Sequence, residues 1–310
     1  MRVASIGETR LGRPDPCNDR LSAAGSTRQS LRYGTSSGGM MSAQDLADAV
    51  DREMAARLLP DIAVAALGRW WSANAVTCAD GTPGAHTVRY APARWAQNSP
   101  WPAGLAPVSQ AGDATVSRAE VSSLVADALR RGEFREALVA TYVWGKGKRG
   151  SPGGSGPSTL SRILATEGLE DALASAASAL SEFGAREAYA VLHRRILGLG
   201  PSFFTKFLYF TGRTLRPGQG PEPLILDRVL SLRMRSLATE VGRETGLDPD
   251  GTVAHWVWAD WDWSPHRYGV YLTYMQSATG QLAGAGLWPA HAGPDLLEYA
   301  LFSTSWKEPA

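Results

Sequence analysis

Between residues 42 and 71, apolar side chains recur at Leu46, Val50, Met54, Leu58 and Leu59, the spacing of one helix face. Pro60 interrupts that helix, and a second runs on to Trp71. The periodicity then fades. Residues 72–115 are rich in Pro, Ala and Trp, include His86 and Tyr90, and read as an irregular insertion or lid with a short strand at Thr87–Tyr90. Helical spacing returns at Ser117, where Ser-x-x-Glu (Ser117–Glu120) predicts a capping box, and it persists to about Arg131 before Gly132. Residues 133–143 predict another helix leading into a Trp144-Gly145-Lys146-Gly147-Lys148-Arg149-Gly150 loop. Helices follow at 158–167, 169–183 and 185–197.

The most informative stretch is 194–235. Gly198-Leu199-Gly200 predicts a hairpin, because two glycines allow a turn that side chains would block. Pro201 suits the first turn of the next helix. Phe203, Phe204, Phe207, Leu208 and Phe210 make that helix broadly apolar, with Lys206 as a charge among them. After a Gly/Pro loop and Leu224-Ile225-Leu226, Asp227 stands where an N-cap belongs, before Val229, Leu230, Leu232 and Met234. Helix continues or repeats through Ser236–Gly246. Trp256, Trp258, Trp261 and Trp263 then crowd into eight residues, and helices at Tyr271–Met275 and Pro294–Phe302 close the chain.

Composition narrows the chemistry. Three hundred and ten residues with 44% hydrophobic content fit a globular protein, and no apolar run is long enough for a membrane span. Two cysteines, Cys17 and Cys78, exclude a four-thiolate iron–sulfur cluster, and the histidines lack metal-ligand spacing. No metal or cofactor is expected, and scarce cysteine is compatible with a cytoplasmic location. Residues 1–40, with six arginines against three acids, read as a disordered basic leader, or as sequence upstream of a true start at Met40 or Met41. The chain's net charge is +1, yet 194–235 holds eight cations against two anions, a local +6. That is the footprint of a nucleic-acid contact. Backbone N–H groups at Gly198, Gly200 and Ser202, where Pro201 opens the helix, are placed to hold a phosphate, with Arg228 beside them. Lys146, Lys148 and Arg149 form a second basic loop whose spacing does not match a nucleotide-triphosphate loop; it suits DNA phosphate, with Trp144 at a base pocket.

Leu197-Gly198-Leu199-Gly200-Pro201, followed by an apolar helix and then an aspartate opening a later helix, resembles the helix-hairpin-helix DNA glycosylase superfamily. F-F-T-K-F-L-Y-F (203–210) and L-I-L-D-R-V (224–229) are similar to its 8-oxoguanine glycosylase-like bacterial branch, the one without an iron–sulfur cluster. The resemblance covers roughly 130–306. It implies a mostly α fold of two helical lobes with a DNA cleft between them, formed by residues 41–306. The hairpin and catalytic core would occupy 186–235, and aromatic-rich helices 250–306. It further implies a monomer that acts on double-stranded DNA with a flipped base. Lys206 would attack C1′ and Asp227 would assist departure of the base. Trp144, Trp263, Tyr268 and Tyr271 would line the base pocket, with Asp260, Asp262 or His266 supplying edge contacts. The commonest form of the motif has its lysine two residues after the second glycine, where this chain has Ser202; Lys206 lies one turn on, about 6 Å along the axis. An enzyme whose Lys206 is not the nucleophile would be monofunctional, with Asp227 positioning water. The substrate would be an 8-oxoguanine-like purine or a hypermodified phage base. The competing reading is a non-catalytic DNA-binding module of a repair or phage-defence complex, in which Asp227 is only a cap and Lys206 extends its head to solvent.

Overall fold

The capping box is where the fold becomes legible. Ser117 Oγ accepts from the Glu120 amide, and Glu120 returns a carboxylate oxygen to the Ser117 amide, opening helix α3 (Arg118–Arg130). In the computed structural model, which describes residues 41–148 and 156–304, helices dominate. Before α3 come α1 (Ala43–Ala56), α2 (Asp61–Asn74), strand β1 (Thr87–Tyr90) and strand β2 (Ala114–Ser117). After it come α4 (Phe134–Lys146), α5 (Pro157–Leu164), α6 (Leu169–Phe183), α7 (Ala185–Leu192), α8 (Pro201–Leu215), α9 (Arg228–Thr245), α10 (Thr252–Val257), α11 (Pro265–Gly284) and α12 (Pro294–Ser303). The mostly helical expectation holds. The basic leader 1–40, Arg149 and most of the glycine-rich stretch after it lie outside the described residues.

Three details depart from the sequence reading. β1 has an antiparallel partner, β2, in the register Thr87↔Ser117 to Tyr90↔Ala114. Helix α4 runs through Trp144, Gly145 and Lys146, which read as loop; Val139, Tyr142 and Val143 are buried, so packing carries the helix past Gly145. Helix α7 stops at Leu192 instead of about Leu197, and Arg194 takes a left-handed φ of 57°.

The described residues from Gln44 to Thr304 form one packed unit. Its centre is α8, ten of whose fifteen residues are buried, wrapped by α3, α4, α6 and α7. Ring pairs lock α4 to α8: Tyr142 stacks on Phe203 at 4.2 Å, and Trp144 meets Phe210 edge-on at 5.3 Å. β1 lies against α4, and α12 packs on α2, α9 and α11. The Leu224–Leu226 segment threads between these layers. Its carbonyls are held by two buried phenols, Tyr268 OH to Leu224 O at 2.9 Å and Tyr271 OH to Ile225 O at 2.8 Å. That anchoring fixes where Asp227 begins α9. Among the described residues no helix is long and apolar enough to cross a membrane, and no cluster of three or more His, Cys, Asp or Glu could hold a metal.

Candidate active site

Asp227 caps α9 with one oxygen only. Its Oδ1 accepts from the Val229 amide at 3.0 Å and the Leu230 amide at 3.1 Å, satisfying two orphan donors of the first turn. Its Oδ2 faces Lys206 Nζ across 3.8 Å. Lys206 is 7% exposed, so the side chain does not extend its head to solvent. Its Nζ donates to Ser202 O, one turn back, at 2.6 Å, and lies 5.7 Å from the Phe203 ring centroid. Gly145 makes room for the lysine: a Cβ there would sit 2.4 Å from Lys206 Cδ. Burial pushes the amine below its ordinary pKa, the nearby Arg118 adds to that, and Asp227 and Glu298 pull the other way.

Lys206 and Asp227 open on one cleft of ≈ 120 Å³, with His86, Arg118, Trp144, Lys146 and Glu298 in its wall. Arg118 Nη2 donates to Glu298 Oε1 at 2.8 Å, and the Ile225 amide donates to Glu298 Oε2 at 3.1 Å. This ion pair is almost fully buried, and burial pushes the Glu298 carboxyl above its ordinary range while Arg118 draws it back. The guanidinium lies 5.1 Å from the Trp144 ring and 5.1 Å from that of Tyr209. His86 stacks on Tyr299 at 4.3 Å and meets Trp144 edge-on at 5.2 Å. Burial, together with the charges of Arg118 and Lys206, lowers its pKa to about 3, so the imidazole is neutral near pH 7. His86 Nδ1 and Trp144 Nε1 are buried polar atoms with no hydrogen-bond partner among the described residues.

Of the expected site residues, Lys206, Asp227, Trp144 and Lys146 meet in this cleft. Trp263, Tyr268 and Tyr271 do not line it. Trp263 Nε1 is spent on Ser231 Oγ and Ala259 O, and the two tyrosines hold the 224–226 strap, so all three are core. Asp260 binds Arg228 and Arg235, Asp262 binds Arg194 and His193, and His266 lies toward Asp48; none of these lines the cleft. Arg228 is therefore engaged by a carboxylate, and Lys148 by Asp113 at 2.6 Å, where a free phosphate grip was expected. The hairpin forms as read. Gly198 has φ +87°, Gly200 and Gly198 are exposed, and Gly200 offers no side-chain cap to α8, leaving the Ser202 amide to another acceptor, since Pro201 carries no N–H.

His86, Arg118 and Glu298 were not singled out from the sequence. Glu298 carried a readable signal, a lone carboxylate in the apolar run Leu296–Leu301. His86 carried none, because its segment has no periodicity.

A family model described as "Putative 8-oxoguanine DNA glycosylase OGG-like protein" matches residues 81–302. The match begins ahead of β1 and so takes in most of the segment 72–115. Comparison with curated proteins and with solved structures gives no match. A helical body with a glycine hairpin, a lysine facing a capping aspartate and a family match across most of the chain agree: this protein belongs to the family of OGG-like 8-oxoguanine DNA glycosylases.

Proposed function

We propose that this protein is a bifunctional glycosylase and lyase that removes an oxidised purine from duplex DNA, with Lys206 as nucleophile. The observation that carries the reading is the 3.8 Å approach of a buried, pKa-lowered Lys206 to the free oxygen of Asp227 in a base-sized cleft. A neutral amine attacks C1′ of the flipped nucleotide, and the C1′–N bond breaks as the base leaves with its bonding electrons. Asp227 Oδ2 stabilises the positive charge that develops on the sugar. The amine sheds its proton, the sugar ring opens to a Schiff base, and β-elimination then cuts the strand. The departing base lies against the cleft wall formed by Trp144 and the neutral His86. A phosphate of the same strand rests on the amides of the hairpin, with Lys146 near the cleft mouth.

The test is borohydride trapping on duplex DNA containing 8-oxoguanine, with the wild type beside Lys206→Gln and Asp227→Asn. A covalent adduct in the wild type that vanishes in Lys206→Gln is the expected result. Abasic sites without any adduct, abolished in Asp227→Asn, would make the enzyme monofunctional. Neither product on a panel of oxidised bases would sink the reading.

A further inference from the structure

The tract from Trp258 to Ser264 is built to hold one side chain out in solvent. Trp258 is fully buried and its carbonyl accepts from Arg235 Nε at 2.8 Å; Trp263 is 2% exposed and its indole is tied to Ser231 and Ala259. Between these anchors Trp261 is 73% exposed. The residue on each side of it is clamped. Asp260 takes Arg228 at 2.8 Å and Arg235 at 2.7 Å. Asp262, at a left-handed φ of 63°, takes two Arg194 nitrogens and His193 Nε2 at 3.1 Å. An indole gains free energy by leaving water, and what sets Trp261 apart from other exposed apolar side chains is that ion pairs on both of its neighbours hold it there.

The clamps also say where the indole stands. Arg194 and His193 begin the turn into the glycine hairpin, and Arg228 is the first residue of α9, directly after Asp227. Trp261 therefore sits between the hairpin and the cap of the cleft. The same rim exposes Arg195 and Leu197, and the cations on the two aspartates outnumber them. Such a rim suits a polyanion with flat, apolar faces.

We propose that Trp261 is a DNA-stacking residue, packing its indole on the base or sugar face of the lesion-bearing strand next to the phosphate held at the hairpin. This rests on the DNA-acting reading of the neighbouring cleft. Stacking on an aromatic face is tolerant of sequence and adds to affinity without adding charge.

The test uses full-length protein and a fluorescent duplex carrying a tetrahydrofuran abasic analogue, with anisotropy titrations across a range of salt. Trp261→Ala is expected to weaken binding about 5- to 150-fold, the equivalent of one lost stacking contact. Trp261→Phe should retain most of the affinity. The slope of log affinity against log salt should stay at the wild-type value in both, because no phosphate contact is lost, whereas Arg195→Ala should flatten it by about one unit. Trp261→Ala binding like the wild type would overturn the proposal, as would a loss that Trp261→Phe does not restore. If the wild type binds and traps 8-oxoguanine DNA while Trp261→Ala is unchanged, only the stacking role falls. If Trp261→Ala loses binding in a protein that excises nothing, the stacking role stands and the glycosylase reading falls.

Discussion

Two assemblies of carboxylates and cations lie close together in this fold and behave in opposite ways. In the cleft, Lys206, Arg118 and Glu298 are nearly dry, and burial holds the Lys206 amine below and the Glu298 carboxyl above their ordinary ranges. On the rim, Asp260 takes two arginines and Asp262 takes Arg194 and the His193 ring in the presence of water, and those hydrogen bonds hold both carboxyls below their ordinary range. The cleft is thus electrostatically expensive, whereas the rim is merely well tied. Expense of this kind survives where charge must act, since a desolvated charge interacts far more strongly with a reacting group than a solvated one. The rim instead sets geometry, keeping the hairpin, Trp261 and the start of α9 in one arrangement.

The comparison can be broken most directly at Asp227. Asparagine caps a helix as well as aspartate but removes the carboxylate that faces Lys206, so Asp227→Asn should keep the α9 cap while base release falls about 10²–10⁴-fold. Asp227→Ala should lose the same activity and, in addition, about 1 kcal/mol of stability, read by denaturant titration. Equal activity in Asp227→Asn and the wild type would reduce the residue to a cap. The rate for wild type should also rise with pH and level off below the ordinary lysine value of 10.5, because only the neutral amine attacks.

Glu298→Gln strands Arg118 without its counter-ion in the dry wall and is expected to cost ~3–5 kcal/mol in urea unfolding. Gly145→Ala pushes a methyl into Lys206 and should lower kcat/KM by about 10²-fold with little change in DNA affinity. A smaller effect concerns acid. His86 binds its proton near its ordinary value of 6.5 in the unfolded chain but only near 3 in the fold. Between those values the unfolded state holds the extra proton, so stability present above 6.5 is lost progressively as pH falls toward 3. Replacement by Phe should remove this share, seen as a few degrees' difference in how steeply Tm declines over that window. The smallest change is expected on the rim: Asp260→Ala should cost about 0–1 kcal/mol, because its partners stay hydrated. A loss as large as that of Glu298→Gln would erase the distinction between the two regions.

Much of this was legible in the chain. The capping box at Ser117, the Gly198–Pro201 hairpin, the apolar helix carrying Lys206 and the capping aspartate all announce themselves locally, because caps, turns and helix faces depend on residues within a few positions of each other. Lys206 was visible for a related reason, as a charge where the pattern called for none. The aromatic tract 256–271 reads two ways in the sequence, as a base pocket or as core packing with a surface turn, and local pattern does not choose between them. Its tryptophans and tyrosines have the composition of a stacking pocket, and burial of four of them in the core is a matter of which face meets α9 and the 224–226 strap.

The sequence by itself determined the helical elements, the hairpin and the two residues whose side chains face one another across 21 positions of chain. The tertiary structure alone decided that Lys206 is dry, that Arg118 and Glu298, 180 residues apart, make one buried pair behind it, and that His86 is neutral beside them. Desolvation and long-range pairing are properties of the space around a residue, and that space is filled by segments whose local sequence carries no record of their neighbours.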